Sequence, residues 1–181
     1  GVVGRRRGAA GLLREGPYDF RVNADNGRRP EDSPVGASPA APGVQRHTLA
    51  GVVKQALAPG ARPFACMTCY DATTARWLAR AGIPVLLVGD TAAEVVLGFS
   101  RTIDMNLDVL LALTAGVKRG APGCVVMGDM PFMSYQASAD EAMRNAGRFL
   151  TEGLADIVKL EADASLAPLV ARMVRAGIPV C

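Results

Sequence analysis

The chain has 181 residues, 50% of them hydrophobic, 20% charged and 5% aromatic, with 20 Lys and Arg against 17 Asp and Glu for a net charge of +3. No segment carries a basic stripe with aromatics interleaved, which argues against a nucleic-acid binder, and no apolar run approaches the ~20 residues of a membrane-spanning helix. Four cysteines in a chain of this length do not make a disulfide framework, so a reducing compartment, the cytoplasm, is expected.

Residues 1–45 hold 8 of the 20 glycines and 5 of the 12 prolines, and neither a helical nor a strand period persists there. Such a segment buries too little apolar surface to offset its chain entropy, and a disordered leader is expected over 1–45. Arg5, Arg6 and Arg7 give it a basic start, but Glu15, Asp19, Asp25, Glu31 and Asp32 are acids that transit peptides avoid.

From residue 46 to 181 helical and strand signals alternate. Leu49, Val52, Val53, Ala56 and Leu57 share a helical face behind a Thr48 cap. Residues 64–68 read as a strand, 71–81 as a helix capped by Asp71, and 85–89 as a strand. Residues 106–119 read as a helix closed by Gly120, and 124–128 as the next strand. Ser138 with Glu141 makes a capping box for a helix that Gly153 closes. Residues 156–161 read as a strand, 165–176 as a helix, and 178–181 as the start of a fifth strand. VLLV and CVVM are continuous apolar runs, as in parallel strands covered on both faces. The alternation means an α/β fold. RAGIPV recurs at 80–85 and 175–180, each time with Gly stopping a helix in the left-handed conformation and Pro following; related junctions stand at Gly120 and Gly153.

Counting from each helix-ending glycine to the next strand-closing acid gives Gly82 to Asp90, Gly120 to Asp129 and Gly153 to Glu161, separations that differ by at most one residue. Three carboxylates are therefore expected at the carboxyl ends of three consecutive parallel strands, where α/β enzymes build their sites. Lys159 shares a face with Glu161, while Val158 and Leu160 point to the helix layer. Oxygen ligands without His or thiolate suit a hard cation, Mg²⁺ first. The alternative is that each acid caps the turn or helix after its strand. Cys66 and Cys69 form a CxxC, but Cys66 falls inside an apolar strand and no second pair completes a zinc site, so both read as small core residues. Met127, Met130 and Met133 read as packing, and His47 as an exposed or capping residue.

The segments YDATTARWLARAGIPVLLVGDT, KRGAPGCVVMGDMPFMSY and GLADIVKLE, in order and at matching spacing, resemble the ketopantoate hydroxymethyltransferase (3-methyl-2-oxobutanoate hydroxymethyltransferase) family over residues 47–181. The resemblance implies a (β/α)₈ TIM barrel, of which this chain would be the first four and a half βα units. It implies transfer of a hydroxymethyl group from 5,10-methylenetetrahydrofolate to 3-methyl-2-oxobutanoate, giving 2-dehydropantoate, the first step of pantothenate biosynthesis. It places Asp90, Asp129 and Glu161 around Mg²⁺, the second and third either directly or through water, and Asp90, Thr91, Asp129 and Lys159 against the keto acid. The family's general-base glutamate would lie beyond Cys181, and the family assembles as a homo-oligomer, a decamer. Thr91 stands where the family usually has Ser, and the stretches 92–93, 99–101 and 162–163 also depart from its pattern. A magnesium-dependent lyase or mutase of the phosphoenolpyruvate-binding barrel type, or a non-catalytic fragment, are the other classes left open.

Overall fold

The computed structural model describes residues 45–181, so the leader expected over 1–45 lies outside the described residues except for Gln45. Thr48 begins the first helix, α1 (Leu49–Leu57), by accepting the Gly51 N–H on its hydroxyl at 3.1 Å. There follow β1 (Cys66–Thr68), α2 (Ala72–Arg80), β2 (Val85–Val88), α3 (Ala92–Val95), α4 (Leu107–Gly120), β3 (Val125–Asp129), α5 (Ala139–Thr151), β4 (Ile157–Lys159) and α6 (Ala167–Arg175). The expected caps at Thr48, Asp71 and Ser138 are present, and Asn106, expected inside its helix, caps α4 instead. Asp71 accepts the N–H groups of Thr73 and Thr74, Asn106 those of Asp108 and Val109, and Ser138 that of Glu141.

The four strands are parallel and lie in the order β1-β2-β3-β4. The fifth strand is present as one parallel bridge, Val180 to Val158. Sheet order follows chain order, and α2, α4, α5 and α6 pack on one another in sequence. Leu86, Val88, Val126 and Val158 are buried beneath them with Leu110, Val117 and Phe149. Phe149 lies so close over β3 that a Cβ on Gly128 would strike its ring. On the opposite face the ladder aligns Thr68, Leu87, Met127 and Ile157, none of them fully buried. Among the described residues no helix is long and apolar enough to cross a membrane.

Two sequence expectations need correction. Gly82 and Gly177 do stop helices at φ +80° and +85°, but Gly120 and Gly153 are glycines for another reason. Gly120 is the last residue of α4, and a Cβ there would lie 2.6 Å from the Cα of Ala72; one on Gly153 would lie 2.8 Å from the carbonyl oxygen of Phe149. After α5 the left-handed position falls on Leu154, at φ 57°. The 16 residues 90–105 were given no element by the sequence pattern. They hold α3 and a 3-10 turn, Thr102–Asp104, both just past the carboxyl end of β2.

Candidate active site

Parallel pairing turns the carboxyl ends of β2, β3 and β4 to one side, and a cavity of about 230 Å³ opens there. Asp90, Asp129 and Glu161 all line it, with Ile103, Phe132 and Tyr135. Asp129 ends β3 and is level with Lys159 at the end of β4. The Lys159 ammonium donates to Asp129 Oδ1 at 2.8 Å and reaches Glu161 Oε1 at 3.4 Å, so the two residues share a face as their spacing requires. The backbone N–H of Asp90 points at Asp129 Oδ2 from 3.4 Å. Thr91 also stands past β2, its hydroxyl 2.7 Å from that of Tyr70, although it is not among the residues that line the cavity.

The acids are staggered rather than level. Val88 pairs with Gly128, so Asp129 is one residue beyond that row. Asp90 lies one residue higher still, and Glu161 two residues above Lys159. Counting from glycines blurred this, because Gly120 is inside its helix while Gly82 is past the end of its own. Asp129 is 5% exposed, whereas the Glu161 side chain is 82% exposed. Among the described residues no three acidic, histidine or cysteine side chains are grouped closely enough to hold a metal ion. Lys159 bridges Asp129 and Glu161 instead.

Burial is felt by both members of the Lys159–Asp129 pair, with different outcomes. For Asp129 burial outweighs the hydrogen bond from Lys159, and its carboxyl is held above the usual range, with Asp90 adding to the rise. For Lys159 burial pulls downward, but Asp129 and Glu161 together hold the ammonium above its usual value. The lysine therefore stays charged. Asp90 and Asp129 offer carboxylate oxygens from adjacent strands to one cavity, with no softer ligand beside them. That chemistry fits a hard divalent cation which keeps water or substrate oxygens in its remaining positions.

A model of the ketopantoate hydroxymethyltransferase family matches residues 52–181, well over half of the chain. The chain belongs to this family. The family member 3-methyl-2-oxobutanoate hydroxymethyltransferase of Rhodococcus jostii is 45% identical over 150 residues, covering 83% of this chain and 52% of that protein. The enzyme of the same name from Syntrophobacter fumaroxidans is 50% identical over 121 residues, 67% of this chain and 43% of that protein. The chain thus spans about half the length of the curated family members it matches. Among solved structures, 2,3-dimethylmalate lyase, a PEP mutase/isocitrate lyase superfamily member, superposes with a TM-score of 0.55 at 18% identity, over 74% of this chain and 51% of that one. Phosphoenolpyruvate phosphomutase from Streptomyces platensis gives 0.52 at 16% identity, over 63% and 38%. At such identities these likenesses concern the fold: an α/β chain with a parallel sheet, of TIM-barrel type.

Ile103, Phe132 and Tyr135, which line the cavity, had no place in the sequence reading. Tyr135 is buried and donates its phenol to the carbonyl oxygen of Glu161 at 3.0 Å, tying the segment after β3 to the end of β4. Phe132 and Met133 are exposed rather than packed, and Met133 adopts φ 66°, so only Met130 of that group is buried packing. Ile103 comes from the unforeseen 3-10 turn. The available signal was a hydroxyl-tipped aromatic shortly after a strand, as at Tyr70 and Tyr135. The CxxC carries no activated thiol. Burial raises both Cys66 and Cys69, Cys66 also through Cys181, and Cys69 is core while Cys66 is exposed, not core as expected. His47 is half-buried, its backbone N–H bonded to the Gly123 carbonyl at 2.6 Å.

Proposed function

We propose that residues 46–181 form the first four and a half units of a (β/α)₈ barrel and carry the keto-acid half of a hydroxymethyltransferase site. The reaction moves a one-carbon unit from 5,10-methylenetetrahydrofolate to C3 of 3-methyl-2-oxobutanoate. Water completes the balance, and 2-dehydropantoate and tetrahydrofolate are released. The observation that carries this reading is the ion pair of Lys159 with buried Asp129, which lines one cavity together with Asp90, in a chain of this family.

Asp90 and Asp129 would hold Mg²⁺, with Glu161 reaching it through water, since Glu161 lies higher and more exposed than the other two. Bound there, the ion would supply a Lewis acid for the keto and carboxylate oxygens of the substrate. Lys159 is the cation of the chain itself. Its ammonium would turn from Asp129 toward the substrate carboxylate and meet the negative charge that develops on the keto oxygen. Thr91 would donate to a substrate oxygen, and Ile103 and Phe132 would face the branched alkyl tail. We assign the base that removes the C3 proton to none of the described acids. The enzyme would act in the cytoplasm as a homo-oligomer, the decamer of its family.

The test is turnover. The full-length protein, given Mg²⁺, 5,10-methylenetetrahydrofolate and 3-methyl-2-oxobutanoate, should release 2-dehydropantoate. Asp129→Asn should slow this at least a hundredfold, about 2.7 kcal/mol of transition-state stabilisation. Full activity in Asp129→Asn, or none in the parent, would refute the assignment.

A further inference from the structure

The hydroxyl pair of Tyr70 and Thr91 joins the end of β1 to the site. Tyr70 is packed against the core cluster, and its phenol oxygen lies 2.7 Å from Thr91 Oγ1, 21 residues away in sequence. Gly89 adds an independent observation. Its backbone is not left-handed, so glycine is there for space rather than conformation. A Cβ at that position would stand 3.1 Å from Thr91 Oγ1 and 3.6 Å from Asp129 Oδ2. The gap that Gly89 leaves by lacking a Cβ is therefore within 4 Å of both the threonine hydroxyl and the buried carboxylate.

A threonine hydroxyl has one proton to give and two lone pairs to receive. If its proton goes to Tyr70, only acceptor sites face the gap. A phenol is more acidic than an aliphatic alcohol and is the stronger donor of the two. With Tyr70 donating, the Thr91 proton is free to point into the gap, where an anion's oxygen could take it. We propose that Tyr70 is a positioning residue, which donates to Thr91 Oγ1 and so turns the Thr91 hydroxyl into a donor toward the bound 2-oxo acid. This rests on the reading of Thr91 as a keto-acid contact. It also gives the added methyl of Thr91 a role, since a branched side chain holds its rotamer more firmly than Ser.

The proposal separates by kinetics of the full-length protein with Mg²⁺ and saturating 5,10-methylenetetrahydrofolate. Tyr70→Phe keeps the ring and removes the donor. It should raise KM for 3-methyl-2-oxobutanoate about fivefold to tenfold, the range of one hydrogen bond, and change kcat less than twofold. Thr91→Val should do the same. Tyr70→Phe placed in Thr91→Val should add nothing, because its effect passes through the hydroxyl already removed. Calorimetric titration with the keto acid should give the same ratios without turnover. A parent-like KM in Tyr70→Phe, or effects that multiply in the double variant, would overturn the proposal. A parent that binds and converts no keto acid would instead overturn the functional reading, and this inference with it.

Discussion

Replacing Lys159 with Met keeps most of the side chain's length and removes the charge that faces Asp129. Breaking a buried ion pair from one side costs about 3–5 kcal/mol, because the remaining charge is left uncompensated. The Lys159 side chain is 26% exposed while that of Asp129 is 8% exposed, so water replaces part of the lost interaction, and about 2–3 kcal/mol at pH 7 is expected. The loss has a ceiling. Asp129 can take up a proton, which for an ordinary carboxyl costs about 4 kcal/mol at pH 7 and about 1.5 kcal/mol at pH 5. Burial already holds the Asp129 carboxyl above its usual range. Between the unfolded and the raised folded value the folded state binds more protons, so stability falls as pH rises through that window. Without Lys159 the folded value climbs further and the window widens toward neutrality. Urea unfolding in metal-free buffer at pH 5, 6 and 7 should therefore show a loss near 1 kcal/mol at pH 5 that deepens to about 2–3 kcal/mol at pH 7. Adding Asp129→Asn to Lys159→Met should recover most of it. A loss of equal size at pH 5 and 7, or a double variant no more stable than the single one, would refute the reasoning.

Three further outcomes follow from local geometry. Gly120→Ala should destabilise by about 2–3 kcal/mol in urea unfolding, since its Cβ meets the backbone of Ala72; Gly116→Ala in the same helix has open space and should be neutral or gain up to about 1 kcal/mol. Asp71→Ala should cost about 1 kcal/mol by loss of the α2 cap. Hydrogen bonds from Thr74 and Thr73 hold the Asp71 carboxyl below its usual range, so that contribution is present above the ordinary carboxylate value and fades as pH falls through the lowered one, which a pH series of melting curves reads directly. Thiol titration with a disulfide reagent should find Cys66 and Cys181 reactive in the native protein, with Cys69 and Cys124 appearing only in denaturant; four reactive thiols without denaturant would contradict the packing described for β1 and β3.

Much of this architecture was legible because its signals are local. Thr48, Asp71 and Ser138 each cap the helix expected of them, since a cap needs only a side-chain oxygen and two or three following amides. The apolar runs at 85–88 and 125–128 gave buried strands, and the acids that follow them did reach one cavity. What depended on distant partners was less readable. The close approach of α4 to Ala72 fixes Gly120, and nothing near residue 120 announces it. The stagger of Asp90, Asp129 and Glu161 is set by strand pairing, which counting along the chain cannot see. Residues 90–105 lack a sustained period, because α3 is a single turn and the 3-10 turn after it is shorter still. Tyr70 meets Thr91 only when β1 and β2 pair.

The central claim is that Asp90 and Asp129 together bind a hard cation which then holds the keto acid. Calorimetric titration of the full-length protein with Mg²⁺, with and without 3-methyl-2-oxobutanoate, tests it most directly. Asp90→Asn replaces a charged ligand by a poorer neutral donor and should weaken Mg²⁺ binding at least tenfold, about 1.4 kcal/mol, and remove the gain that the keto acid gives. Asp71→Asn, which keeps a capping oxygen on α2, should bind both as the parent does. If Asp90→Asn takes up Mg²⁺ and keto acid with parental affinity, these carboxylates are structural caps and the site is not the one described.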